Sequence, residues 1–295
     1  MKKSTTINHI YWIDNNILTN GTHLKLHRDQ SVDFHNLLMT PGKPIIVWDS
    51  VYNYQGSKMV PQLPLLKVNY HYRIVVGITS VPDQTYLIRL IFRDLQGTEL
   101  KRKDFRSPVS DFVFPAGTAS YSIEIINAGF TDVHFDRIDI CEANLPKDVN
   151  NDVVVYPQAN ADYPAQGNYI LVKEGKQSRR YDPEAVQHLT KMPMQVISIS
   201  WQNRQNVVDL VSELAEQQGA DQLHLVSSDP SLDETVITLL QKYPGSKGLI
   251  ASSAQAAPVE GCEAWPFEVP SWYSPDVMAP NWSQIGKTIN HEWRK

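Results

Sequence analysis

A chain of 295 residues with 42% hydrophobic and 20% charged side chains has enough apolar content for one large domain or two smaller ones, and too much for wholesale disorder. The formal net charge of −5, with Lys101-Arg102-Lys103 as the one basic triplet, argues against nucleic acid as the main partner. Cys141 and Cys262 lie far apart, and without a CxxC or a closely spaced Cys/His set there is no zinc signature.

The start of the chain carries Lys2 and Lys3 but no apolar run of the roughly 7–15 residues that a signal peptide needs. No stretch approaches the roughly 18 apolar residues of a membrane span. The expected location is the cytoplasm, a reducing compartment that suits the two thiols.

Residues 1–145 read as all-β, with short alternating runs between turn signals, the pattern of a sandwich. Residues 70–78 form one such run. In residues 85–93, Tyr86, Ile88, Leu90 and Phe92 share one face, and Arg89 and Arg93 lie on the other. Asp94-Leu95-Gln96-Gly97 turns the chain into residues 98–103. Residues 119–127 alternate with Tyr121, Ile123 and Ile125 inward. In residues 131–140 the apolar phase slips between Phe135 and Ile138, which predicts a bulge.

Within this part, residues 34–66 are dense in proline, asparagine and aromatic side chains around the apolar run Ile45-Ile46-Val47-Trp48. Trp48, Tyr52, Asn53, Tyr54 and Gln55 form the candidate binding site. Tyrosine and tryptophan supply stiff contact area with a polar tip, and the amides suit a ligand with hydroxyls or amides of its own. The other reading of the same aromatics is that they cap the end of a β core.

Residues 146–190 change character. Asparagines and prolines break the chain, Tyr156-Pro157 and Tyr163-Pro164 favour extended backbone, and one short strand is expected at 169–173. The segment reads as a linker. From residue 191 to 295 the period lengthens from 2 to 3.6. A buried-type strand at 194–200 precedes a helix whose face is Val207, Leu210, Val211 and Leu214, with Asn206 as cap and Gly219 beyond its end. A second strand at 223–226 leads to the capping box Ser231-Leu232-Asp233-Glu234 and a helix with Val236, Leu239, Leu240 and Tyr243 on one face. Pro244-Gly245 stops that helix, and a third strand follows at 248–251. This βαβαβ order implies right-handed crossovers and a small parallel sheet. Three strands are few for a stable sheet, so the unit is expected to lean on another surface. The tail holds Trp265, Trp272, Trp282 and Trp293 among prolines. It either wraps the α/β unit or docks on another protein, and wrapping is favoured because exposed apolar patches of that size are uncommon in monomers.

Motifs for covalent chemistry are absent: no G-x-S-x-G elbow, no Walker loop and no G-x-G-x-x-G stands in the chain, so no cofactor is expected. Ser228 and Asp229, at a strand end, are the one hydrolase-like pair, and helix capping explains them as well. Asp132, His134 and Asp136 alternate on one strand face and form either a cation row or a solvated outer face. His23 and His27 share the face of Lys25 and read as exposed strand residues.

Several of these stretches together resemble one family. Ile10-Tyr11-Trp12, Asn36-Leu37-Leu38-Met39 with Pro41-Gly42, Trp48 with Asn53-Tyr54-Gln55, and Pro61-Gln62-Leu63-Pro64-Leu65-Leu66 stand in order. Tyr72, Pro82 and Phe92-Arg93-Asp94 before Gly97 follow. Residues 7–142 are thus similar to the third of the three accessory Sec system proteins, which help Gram-positive bacteria export serine-rich repeat adhesins. The resemblance implies a sandwich like the jelly roll of carbohydrate-binding modules. It also implies a complex with the other two accessory Sec proteins and the dedicated motor ATPase, and contact with the glycosylated adhesin. It carries no catalytic residues. The expected function is therefore a non-catalytic adaptor or export chaperone, and the alternative is a carbohydrate-active enzyme built on a sugar-binding module. The α/β segment and the tail extend beyond the match. Their strand order without a phosphate loop suggests a degenerate half of a glycosyltransferase-like Rossmann unit, kept as a docking surface.

Overall fold

The computed structural model describes residues 5–13, 21–51, 61–156, 167–176, 178–181, 193–252, 259–264, 287 and 289. The chain divides into two compact units: Ile7–Pro146, and Lys147–Lys295 together with Met1–Thr6. Among the described residues no helix is long and apolar enough to cross a membrane.

The first unit consists of β1 (Thr5–Ile10), β2 (His23–Leu26), β3 (Val32–His35), β4 (Pro44–Asp49), β5 (His71–Val81), β6 (Tyr86–Arg93), β7 (Glu99–Phe105), β8 (Val109–Val113), β9 (Ser120–Asn127) and β10 (Asp132–Glu142). β10 is the spine of one antiparallel sheet. It pairs with β5 along its length and with β3 and then β1 on its other edge, while β2 extends β3 and β8 extends β5. The second sheet runs β4-β9-β6-β7, also antiparallel. Tyr86, Ile88, Leu90 and Phe92 are all buried, as the period of two requires, and Arg89 pairs outside with Asp104 at 2.9 Å. The register of β10 on β5 shifts between Phe135 and Ile138, where the slip in apolar phase predicts a bulge. Asp94 holds the β6–β7 turn by accepting from the Gln96 and Thr98 amides at 2.9 and 2.8 Å.

Apolar side chains from both sheets form one core, crowded with rings. Trp48 stacks obliquely on Phe135 at 5.5 Å between centroids, and Trp12 meets Trp48 edge-on at 6.4 Å. On the other face of the β10 sheet a charge cluster is buried around Asp139. His9 Nδ1 lies 2.6 Å from the Asp139 carboxylate, which also accepts from the Arg137 guanidinium at 3.0 Å. Burial works to raise the Asp139 carboxyl, but the interactions with His9 and Arg137 outweigh it and hold the group below the usual carboxylate range.

The second unit is an open sheet in the order β11 (Val153–Val155), β14 (Gln195–Ile199), β12 (Asn168–Lys173), β15 (His224–Ser227), β16 (Lys247–Ile250), β17 (Cys262–Ala264). All pairs are parallel except that of β11 with β14. A short strand, β13 (Ser178–Tyr181), follows β12 in the chain. Helix α1 (Val207–Gln218) joins β14 to β15, with Asn206 capping its start and Gly219 left-handed at its end. Helix α2 (Asp233–Lys242) joins β15 to β16.

The short strand expected at 169–173 is present, but it belongs to the sheet rather than to a linker. The segment 146–190 supplies β11 and β12, and β12 is an interior strand between β14 and β15. Its sequence Asn-Tyr-Ile-Leu-Val-Lys does not alternate because both faces are covered, Tyr169 and Leu171 by one cluster and Ile170 and Val172 by the other. The insertion also separates β14 from β15, which a Rossmann half would place side by side. Taken in chain order, the parallel strands run 2-1-3-4-5, the flavodoxin-like arrangement.

A second correction concerns α2. Ser231 does not cap it, because its amide and hydroxyl both turn back to the Asp229 carboxylate at 2.9 and 2.6 Å. The first residue of the helix, Asp233, is instead buried. It accepts from the Ala251 and Ser252 amides at 2.9 Å each, and from the hydroxyls of Ser252 and Ser227. The helix start is thereby tied to the loop beyond β16.

Candidate functional site

The structure removes Trp48 from the candidate binding set. Its ring is fully buried, and the indole N–H donates to the Tyr11 carbonyl at 2.8 Å, so both its apolar body and its polar tip are used inside the core. The period of β4 explains this: Trp48 pairs with Ile123 and therefore shares the core face. Tyr52, Asn53, Tyr54 and Gln55 lie outside the described residues.

Asp132, His134 and Asp136 do not converge on a common point. His35 binds Asp132 at 2.6 Å, and His134 and His27 bind the two oxygens of Asp33 at 2.6 and 2.7 Å. Asp136 stands 3.4 Å from the other nitrogen of His134. This is a ladder of half-exposed imidazole–carboxylate pairs on an outer sheet face. The hydrogen bond from His134, then that from His27, lowers the Asp33 carboxyl, and Thr131 and then His35 lower Asp132. Among the described residues no group of three or more such side chains is placed to hold a metal ion.

Ser228 and Asp229 have structural duties. The Ser228 hydroxyl accepts from the Lys173 amide at 3.0 Å, and Asp229 caps the single 3-10 turn before α2. A polar cleft of about 290 Å³ does open at the carboxyl ends of β12 and β14, beside Lys173, Ser200, Trp201 and Asn206. Its asparagines are already engaged, Asn203 with Gln205 and Asn206 with Val208.

What stands out is the turn after β3. Asn36 is buried, and its backbone amide and both polar atoms of its side chain are committed. Its amide donates to the Thr131 carbonyl at 2.9 Å and its side-chain nitrogen to the Thr22 hydroxyl at 2.7 Å, while its side-chain oxygen accepts from the Leu38 amide at 2.8 Å. A second buried asparagine, Asn127, accepts from the Gly129 and Phe130 amides at 2.6 and 3.0 Å, and its backbone carbonyl takes the Gly42 amide. The loops at this end of the sandwich are therefore stapled from below. The consequence is that Leu37 and Leu38 project outward, 69% and 82% exposed.

Neighbouring apolar groups extend that surface. Leu24 and Leu26 on β2 sit opposite Phe34 and Val32, on the core side of the sheet, yet remain 40% and 61% exposed. Val81, at the end of β5 opposite Asp132, is likewise exposed. A rim that carries the pinned Leu37 and Leu38 outward suits protein–protein contact. Sequence reading quoted Asn36-Leu37-Leu38-Met39 but did not assign it a role. The available signal was that two consecutive leucines cannot both face inward from one strand.

The chain matches the family model described as accessory Sec secretory system ASP3 over residues 18–142. It is 34% identical over 122 residues to the accessory Sec system protein ASP3 of Streptococcus gordonii, covering 41% of this chain and 77% of that protein. Against the protein of the same name in Staphylococcus aureus (strain NCTC 8325 / PS 47) it is 29% identical over 111 residues, covering 38% of this chain and 35% of that one. A solved structure, the Glycosylation Associate Protein (Gap123) complex from Streptococcus agalactiae, is similar in fold with a TM-score of 0.56 at 16% identity. The match covers 83% of this chain and 78% of that one, and so reaches beyond the sandwich. On the sequence match to the S. gordonii protein, the chain belongs to the ASP3 family of the accessory Sec system.

Proposed function

We propose that this chain is a non-catalytic adaptor of an accessory Sec export complex, docking on the other two accessory Sec proteins through the leucine rim. The observation that carries this reading is the pair Leu37 and Leu38, held outward by the buried Asn36 within the segment that matches the family. Exposing two leucines on a pinned turn costs the free protein solvation energy, which burial against a partner recovers at roughly 1.5–3 kcal/mol per side chain. The rigid turn also reduces the ordering entropy that docking demands.

In the same reading the sandwich is a carbohydrate-binding-module-like jelly roll. The assembled complex, together with its motor ATPase, handles a glycosylated serine-rich repeat adhesin in the cytoplasm. Glycan contact falls to Tyr52, Asn53, Tyr54 and Gln55. The relatives' names support the export assignment, and the S. agalactiae structure is by its description a complex.

Co-expression of the chain with the other two accessory Sec proteins, followed by affinity capture, tests the docking surface. Leu37→Asp with Leu38→Asp is expected to reduce recovery of the partners at least tenfold while the circular dichroism and melting temperature stay unchanged. Undiminished recovery would remove the rim from the interface. Tyr52→Ala with Tyr54→Ala is expected to leave that assembly intact and to weaken capture of adhesin glycopeptides. Equal capture would place the glycan elsewhere.

A further inference from the structure

β7 and β8 are the outer strands of the two sheets. Among the described residues β7 pairs with β6 alone and β8 with β5 alone. Near them is a cleft of about 260 Å³ lined by His71, Phe92, Lys101, Lys103, Asp111 and Phe112. Its chemistry follows from register. Lys101 sits opposite Phe92 and Lys103 opposite Leu90, and both of those partners are core residues. The two lysines therefore lie on the core face of the sheet, where the period of β7 would otherwise place apolar groups.

The acids of β7 and β8 are already taken, and of them only Asp111 lines the cleft. Asp104 is held by Arg89 at 2.9 Å, Glu99 by Arg102 at 2.7 Å, and Asp111 by Arg73 at 2.9 Å. Lys103 gives one of its three N–H donors to the Asp111 backbone carbonyl. Lys101 has no acidic partner among the described residues. The cleft thus brings together two lysines without an ion-pair partner among the described residues and the Phe92 and Phe112 rings, whose centroids are 6.0 Å apart.

Charges turned inward on an edge strand also discourage edge-to-edge aggregation. That role accounts for a lysine on β7. It does not account for a cleft lined by both lysines, nor for the arginine that takes up Asp111, the one acid among the residues named there.

We propose that this cleft receives an extended acidic peptide segment of a partner, added as a strand along the free edge of β7. Carboxylates two residues apart in the peptide meet Lys101 and Lys103, because an incoming strand repeats at the same spacing of about 6.6 Å as the lysines. The peptide backbone takes up the unpaired N–H and C=O groups of the edge. This surface is separate from the leucine rim, and neither proposal depends on the other.

The full chain is titrated with two fluorescently labelled, amidated hexapeptides, one alternating glutamate with valine and one alternating glutamine with valine. Saturable binding of the glutamate peptide is expected, with at least tenfold weaker binding of the glutamine peptide and steep weakening from 50 to 500 mM salt. Lys101→Gln with Lys103→Gln is expected to cost at least tenfold, and Arg102→Gln on the opposite face to cost nothing. Where the double variant does not fold, the peptide pair and the salt series still decide. Equal affinity for the two peptides overturns the proposal. Binding of free glutamate as tight as that of the peptide would reduce the cleft to a small-anion site and overturn it too. Absence of peptide binding, with aggregation of the double variant or pairing of two copies of this chain along β7, would leave edge protection as the role of the lysines.

Discussion

Trp48 and Glu174 show how far a side chain's role depends on its surroundings. Trp48 has the chemistry of a sugar-stacking residue, but its ring is inside the sandwich and its N–H is spent on a backbone carbonyl. Trp48→Ala is therefore expected to destabilise the protein by about 3–5 kcal/mol, read by urea unfolding. An unchanged midpoint would show that the ring is dispensable to the core. Glu174, just past β12, is buried, and the Ser198 hydroxyl donates to one carboxyl oxygen at 2.6 Å. The other oxygen has no hydrogen-bond partner among the described residues. Burial raises its pKa to about 7, and the Arg179 cation offsets that only in part. Between the ordinary value and about 7 the unfolded chain has released this proton while the folded chain keeps it, so stability falls as pH rises through that window. The loss amounts to about 3 kcal/mol. Glu174→Gln is expected to raise the melting temperature at pH 8 and to change it little at pH 5. Parallel melting curves of the two proteins across that range would contradict the assignment.

The elements differ in how much of them local pattern encodes. β6 and β9 announce themselves by alternation because every second residue turns into the core. Helix α1 is equally legible, since Val207, Val211 and Ala215 line one buried face between an asparagine cap and a left-handed glycine. β12 is legible as a short strand at 169–173, but its interior place is not, because burial on both faces erases the alternation and the prolines around it imitate a linker. Its entry is set by Gly167, at a φ of +72°, where an added Cβ would stand 2.5 Å from the Gln222 carbonyl oxygen. The backbone there passes too close to the chain entering β15 for any side chain. Gly167→Ala is expected to cost about 1–2 kcal/mol from the left-handed backbone alone, with the clash in addition. Hydrogen exchange would show the loss as faster exchange in β12 and β15, while β6 and β9 stay protected. Uniform protection across both units would refute the close approach.

At the scale of the molecule, the sandwich and the open sheet each have a core of their own. Calorimetry is expected to show two transitions, with Trp48→Ala lowering one and Gly167→Ala the other. A single transition shifted by both variants would mean the units unfold together. The change of period from 2 to 3.6, the absence of nucleotide and nucleophile motifs and the family resemblance of residues 7–142 are properties of the linear chain, because each rests on neighbours within a few residues or on order along the sequence. Which aromatic is core and which leucine is surface is not, since that depends on strands distant in sequence closing over Trp48 and stapling Leu37 and Leu38 outward. The insertion of β12 between β14 and β15, and the pairing of the acids near Lys101 and Lys103 with arginines, are likewise set by tertiary contacts. A local sequence carries a residue's chemistry and period, and only the folded chain decides what lies opposite it.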